Sequence, residues 1–325
     1  MLNLRQAAQE SILFDASRPL FRVGGSTRVS EFLQAITMIK GSPMGGAGPT
    51  TNSSIPYTLQ VTVQRINGAL PAAAYYDNLL PAAGLTNINS GMTTTNFIGA
   101  RVGARFALPR IDAQVTARGT AVDGVEVRTY AAAQSVLRFL DTQIIQGTGL
   151  AGGSNQIATL NGLDSLAVGT QSFAATASLE ADIRNLLTLV TPSGTGAGDG
   201  PHCLVGGTLA MRRLMATATG QNGQSGWRVD RRTGLMIYHY MGIPFYRADV
   251  VQGATTTIYA VNLGGTGLNL VYGYGSTDSF GLVVESDPVV APLATSEYMV
   301  HGAYALVAWE LESVAKVTGV TNSPL

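Results

Sequence analysis

The sequence predicts an α+β fold organised by one long helix, with an extended strand hairpin before it and a mixed helix–strand region after it. Three observations carry this. Residues 125–149 hold an apolar period of three and four, stopped by glycines. Residues 57–65 alternate apolar and polar side chains with the period of a strand. The C-terminal half alternates short helical and strand patterns between turns rich in Gly and Pro.

Taken in order, residues 1–25 are weakly amphipathic, and residues 30–40 are a second short helical candidate. Residues 42–54 are rich in Gly, Pro, Ser and Thr and read as a linker. In the first strand Tyr57, Leu59, Val61 and Val63 share a face, and residues 97–105 and 111–117 also read as extended. The intervening residues 68–96 have no hydrophobic face of their own. A lone two-stranded excursion is marginal in water and needs support from elsewhere. It reads as an arm laid on a neighbour or as a flexible insertion.

In the long helix Tyr130, Ala133, Leu137, Leu140 and Ile144 form one face, and Arg128, Gln134, Arg138 and Asp141 are expected on more solvated faces. Gly147 and Gly149 end it, because glycine enters the left-handed conformation at little steric cost. Further on, Ser178 is an N-cap candidate, with Glu180 and Asp182 in the first turn favouring the helix dipole. Leu179, Ile183, Leu186, Leu187 and Val190 make the buried stripe of that helix. Residues 202–205 read as a strand, and Thr208 caps the helix after it. Strands are expected near residues 257–262, 280–285 and 298–309, with an irregular loop at 286–296.

Composition restricts the function classes. Charged residues make up 12% of the 325 residues, and net charge is zero. That charge density is about half the usual share for a soluble domain, so much of the surface is expected to be covered by other subunits. The balance does not suit a protein that holds nucleic acid by electrostatics alone. Lys40 and Lys316 are the two lysines among many arginines. This ratio suits interface ion pairs and would follow equally from a GC-rich codon bias. The single cysteine, Cys203, reads as a small buried hydrophobe and fits a reducing compartment. The sequence shows no secretory signal pattern and no apolar run long enough for a membrane helix.

Catalytic and metal patterns are not evident. His202, His239 and His301 lack ligand spacing. Gly206-Gly207 leads from a strand into a helix but does not match G-x-G-x-x-G, so nucleotide binding by an α/β enzyme is the weakest rival reading. Asp278, Glu285, Asp287 and Glu297 read as a solvated rim rather than a cation site. No cofactor is expected.

The ordered set of Asp141, Ile144-Ile145, Gly147, Gly149 and Gly162-Leu163, then Gly242-Ile243-Pro244 and the C-terminal Val317-Thr318-Gly319-Val320, resembles tailed-bacteriophage major capsid proteins of the Hong Kong 97-like family. The resemblance covers roughly residue 56 to the end. It implies an N-terminal arm and linker at 1–55, and an extended loop at 56–118. It also implies a peripheral domain with the spine helix at 119–178 and 278–307, and an axial domain at 179–277 and 308–325. The implied function is a non-enzymatic head protein assembling into hexamers and pentamers of an icosahedral shell around double-stranded DNA. Scaffolding, portal and decoration proteins are the implied partners. The implied location is the virion, assembled in the host bacterial cytoplasm. An encapsulin-like nanocompartment is the nearer alternative.

The resemblance also implies three contact regions. Gly220, Asn222, Gly223 and Gly226 would line the capsomer axis. Asp287, Pro288, Pro292 and Glu297 would sit near threefold contacts. Tyr57, Arg65, Arg101 and Arg105 would belong to the extended arm. Some members weld subunits through a lysine in that loop, but residues 57–118 contain no lysine, which departs from the pattern. About fifty residues precede Tyr57, so a long fused scaffolding segment is not expected here: it is either already removed or replaced by a separate protein.

Overall fold

The computed structural model describes residues 30–36, 38–40, 60–66, 92–109, 124–149, 159–176, 178–190, 203–217, 225–231, 233–248, 255–264, 267–273, 282–286 and 295–321. A short helix α1 (Glu31–Ala35) and strand β1 (Met38–Lys40) come first. Strands β2 (Gln60–Ile66) and β3 (Met92–Ile98) pair antiparallel as a hairpin, with Arg65 opposite Thr93. The returning strand, expected at 97–105, starts at residue 92, and residues 100–105 belong to the strand after it. After Gly99 the chain enters β4 (Ala100–Pro109), and helix α2 (Gly124–Gln146) follows. The expected helix at 30–40 is therefore half right. Ser30 caps it by accepting from the Leu33 amide at 3.0 Å, but the chain turns extended at Ile36 and Lys40 lies in a parallel strand.

The remaining elements are α3 (Leu163–Leu166), β5 (Ser172–Ala174), α4 (Leu179–Leu189), β6 (Cys203–Gly206), α5 (Thr208–Thr217), β7 (Gly226–Val229), β8 (Met236–Tyr240) and β9 (Ile243–Arg247). After them come β10 (Thr255–Val261), β11 (Leu268–Gly273), β12 (Val283–Ser286), β13 (Thr295–Ala308) and β14 (Val314–Thr321). They form two sheets. One runs β1-β11-β13-β12, with β4 on the other side of β13. The second runs β5-β14-β10-β6-β9-β8-β7.

Pairing between strands runs across the segment boundaries expected above. Strand β11 falls within the span assigned to the axial region, yet it pairs along its whole length with β13 in the smaller sheet. Strand β5, assigned to the peripheral region, pairs with β14 in the larger one. After an earlier passage from β4 to β5, two crossings between the sheets follow, from β10 to β11 and from β13 to β14. The two crossings are bonded to each other: the Asn262 amide donates to the Ser313 carbonyl at 2.8 Å and the Trp309 amide to the Gly267 carbonyl at 3.2 Å.

The centre of the larger sheet is buried on both faces. Leu204, Tyr240, Phe245, Ile258 and Ala260 point toward α4 and α5. Their neighbours Cys203, Val205, Tyr246, Tyr259 and Val261 point the other way, into a core shared with α1, α2 and the smaller sheet. Two covered faces explain why β6 is apolar throughout rather than alternating. Ser178 caps α4 as expected, accepting from the Ala181 amide at 3.4 Å, and the predicted stripe from Leu179 to Val190 packs on the sheet.

Helix α2 lies across β4 and β13. Its predicted face is buried, with Leu137, Leu140 and Ile144 wholly enclosed. Each such side chain contributes about 1.5–3 kcal/mol through burial. Two of the four residues expected on solvated faces are buried instead: Gln134 and Asp141. The reason for Asp141 is α1, whose cap residue Ser30 donates its hydroxyl to the Asp141 carboxylate. The end of α2 also differs in mechanism from expectation. Gly149 is left-handed, with φ 65°. Gly147 is not among the positive-φ glycines. It is glycine because a Cβ there would sit 2.2 Å from the Leu160 carbonyl oxygen.

Candidate assembly surface

The three expected contact regions are partly described. Gly220, Asn222, Gly223, Asp287, Pro288, Pro292 and Tyr57 lie outside the described residues. Gly226 opens β7, opposite His239 on β8, with open space where a side chain would go. Arg65 sits on the hairpin strand β2.

Arg101 and Arg105 are exposed on β4. That strand is not part of the hairpin ladder: it pairs with β13 over its full length, from Ala100 opposite Tyr304 to Pro109 opposite Thr295. The structure thereby joins two regions that the sequence kept apart. Arg105 reaches Glu297 at 2.7 Å. Beside this pair Phe106 stacks on Tyr298 with ring centroids 5.2 Å apart. Arg128 of α2 donates to the Ala107 carbonyl at 2.9 Å, fixing the start of the long helix to the same strand. On the other side of β13, His301 lies 3.3 Å from Glu285 of β12. The acidic residues expected on a solvated rim are thus paired where they are described, and among the described residues no group of His, Cys, Asp and Glu could hold a metal.

Gly206, one of the two glycines of the weakest rival reading, has a packing role. A Cβ on Gly206 would meet the Phe245 ring at 2.9 Å, and the Gly206 carbonyl accepts from the Ala248 amide. The bond to Ala248 occupies a backbone group of this turn in holding β9.

Two features escaped the sequence reading. The first is a polar cluster under α3. Tyr259 donates to Asp164 at 2.7 Å, and Lys316 donates to the same carboxylate at 3.2 Å and to the Asp164 carbonyl at 3.0 Å. Burial, reinforced by the Asp164 contact, pushes the Tyr259 phenol well above its usual range. These residues are 57 to 152 positions apart, so no local pattern points to them. The second is the β7–β8 hairpin, where Trp227, Val229, Leu235 and Met236 are exposed. The sequence reading placed no strand here, and the register of β7 on β8 is what brings these side chains together. Among the described residues no helix is long and apolar enough to cross a membrane.

No family model matches the sequence, and no curated protein matches it. Solved structures do. The chain is similar to the holo-SrpI encapsulin complex of Synechococcus elongatus PCC 7942, with a TM-score of 0.65 and 12% identity, over 95% of this chain and 96% of that one. It is similar to the capsid of cyanophage A-1(L), with a TM-score of 0.64 and 11% identity, over 94% and 96% of the two chains. It is also similar to the capsid of the native GTA particle, with a TM-score of 0.56 and 12% identity, over 93% of each. At these identities the likeness is one of fold, and it runs nearly end to end in both partners. The chain thus shares the fold of these shell proteins.

Proposed function

We propose that the chain is the major capsid protein of a tailed bacteriophage, assembling into hexamers and pentamers of an icosahedral shell that encloses double-stranded DNA. The observation that carries this reading is the near full-length likeness to shell subunits, including two capsids. The chain's own physics agrees. Charge is sparse, the hairpin β2–β3 reaches from the sheet through a single residue, and large apolar side chains stay exposed on the described surface. Such a surface is covered by assembly rather than left to water. The role is structural, not catalytic. Scaffolding, portal and decoration proteins are the partners this role calls for, and the site of action is the virion, built in the host bacterial cytoplasm.

The likeness to an encapsulin favours a second reading, a nanocompartment shell loaded with protein. The contents of purified particles decide between them. Nuclease-protected double-stranded DNA of uniform length inside the particles supports the phage head. A protein cargo without DNA supports the nanocompartment.

A further inference from the structure

The two ends of the larger sheet carry opposite chemistry. At one end β7 is the last strand, bonded only to β8 among the described residues, so its outer edge offers backbone donors and acceptors. The register sets Trp227 opposite Tyr238 and Val229 opposite Met236, so these side chains share a face. Trp227 is 47% exposed, Val229 63% and Met236 59%. Together they leave an apolar stretch uncovered at this edge of the sheet. Arg228 and Arg231 are exposed beside them, while Asp230 is turned inward to hold Thr233.

At the other end β5 pairs with β14. Just before β5, Val168 is 61% exposed. The turn leading into β14 carries Trp309, which is exposed, and the partly exposed Glu310 and Glu312. Asp164 and Lys316 on this side neutralise each other, so the two glutamates set its sign. One end is apolar and basic; the other is apolar and acidic. Six strand intervals of about 4.8 Å separate them, close to 29 Å. They cannot meet within one chain, but they can meet between copies.

We propose that the β7–β8 hairpin of one copy docks on the β5–β14 end of a second copy, with Val229 and Met236 packed on the exposed Val168 and with Arg231 facing Glu312. The contact joins unlike surfaces, so it is head-to-tail, and a head-to-tail contact repeated by rotation closes a ring. It supplies the lateral contact within a capsomer and rests on the shell reading above. A standard interface needs about 800 Å² per partner, so the hairpin is its apolar centre rather than the whole of it.

The test uses the full chain and native mass measurement at micromolar concentration. The double variant V229E/M236E changes exposed positions, so its far-UV circular dichroism should match the wild type while assembly weakens roughly tenfold or more. R231E should weaken assembly, and R231E/E312R should restore it. Normal assembly of V229E/M236E, or no rescue by the charge swap, overturns this contact and leaves the shell reading standing. A wild-type chain that stays monomeric overturns the shell reading and the contact with it.

Discussion

The Gly162 amide donates to the Gly147 carbonyl at 2.8 Å, and neither residue has room for a side chain. A Cβ on Gly162 would lie 2.5 Å from the Gly147 nitrogen and 2.7 Å from the Ile145 carbonyl oxygen. The segment after the long helix is therefore pressed against the helix end, backbone to backbone. Thr148 and Asn161 extend the contact by one antiparallel bridge. This contact is what places Leu163 and α3 under the larger sheet.

From that contact, Gly147→Ala and Gly162→Ala are each expected to destabilise the fold by about 1–3 kcal/mol, as other overpacked sites do. Gly226→Ala is the control. It has open space and no positive φ, so it should leave the urea midpoint nearly unchanged. Equal midpoints for all three variants would contradict the close approach.

A second prediction concerns the α1 clamp. Glu31 accepts from the Arg247 backbone amide at 3.1 Å and from its guanidinium Nε at 2.7 Å. Ser30 meanwhile binds Asp141 on α2. The clamp ties the start of the described chain to β9 and to the long helix. Glu31→Ala should cost about 1.5–3 kcal/mol, the range for hydrogen bonds to charged groups. Combined with Arg247→Ala, the losses should fall short of additive. Full additivity in urea unfolding would show that the two side chains do not cooperate.

The Arg105–Glu297 pair makes a contrasting case. Both side chains reach solvent, so Arg105→Ala should change subunit stability by less than about 1 kcal/mol. Its stability effect should shrink further in high salt. A loss of several kcal/mol, insensitive to salt, would mean that the pair is buried in the assembled protein.

Tyrosine burial gives the pH prediction. Burial raises the phenol of Tyr259 above its usual value, with Asp164 adding to the effect. Burial also raises those of Tyr304, Tyr238 and Tyr240. Above pH about 10 the unfolded chain releases these protons and the folded chain keeps them. Stability is therefore fully present below that pH and falls as pH rises. Tyr259→Phe should reduce the slope of the urea midpoint between neutral and strongly alkaline pH. An unchanged slope would remove Tyr259 from the account.

Much of this was legible in the sequence because it depends on local spacing. The buried faces of α2 and α4 follow from the three-and-four period of Leu137, Leu140 and Ile144, and of Leu179, Ile183 and Leu186. Strands β2, β12 and β13 follow from alternation. What could not be read depends on partners distant in sequence. Asp141 looked solvated because Ser30 stands 111 positions away. The pairing of β11 with β13 could not be read, because it leaves no local mark. Arg105 and Glu297 were expected in separate regions, since the alignment of β4 on β13 is a property of the fold. The exposed face of Trp227, Val229 and Met236 was hidden for the same reason: the register of β7 on β8 brings these side chains together.

The central claim is that this chain is built to assemble. Native mass measurement of the purified full-length protein at micromolar concentration tests it most directly. The account predicts hexamers, pentamers or closed shells, with little free subunit. A folded, soluble monomer that persists at that concentration would contradict it.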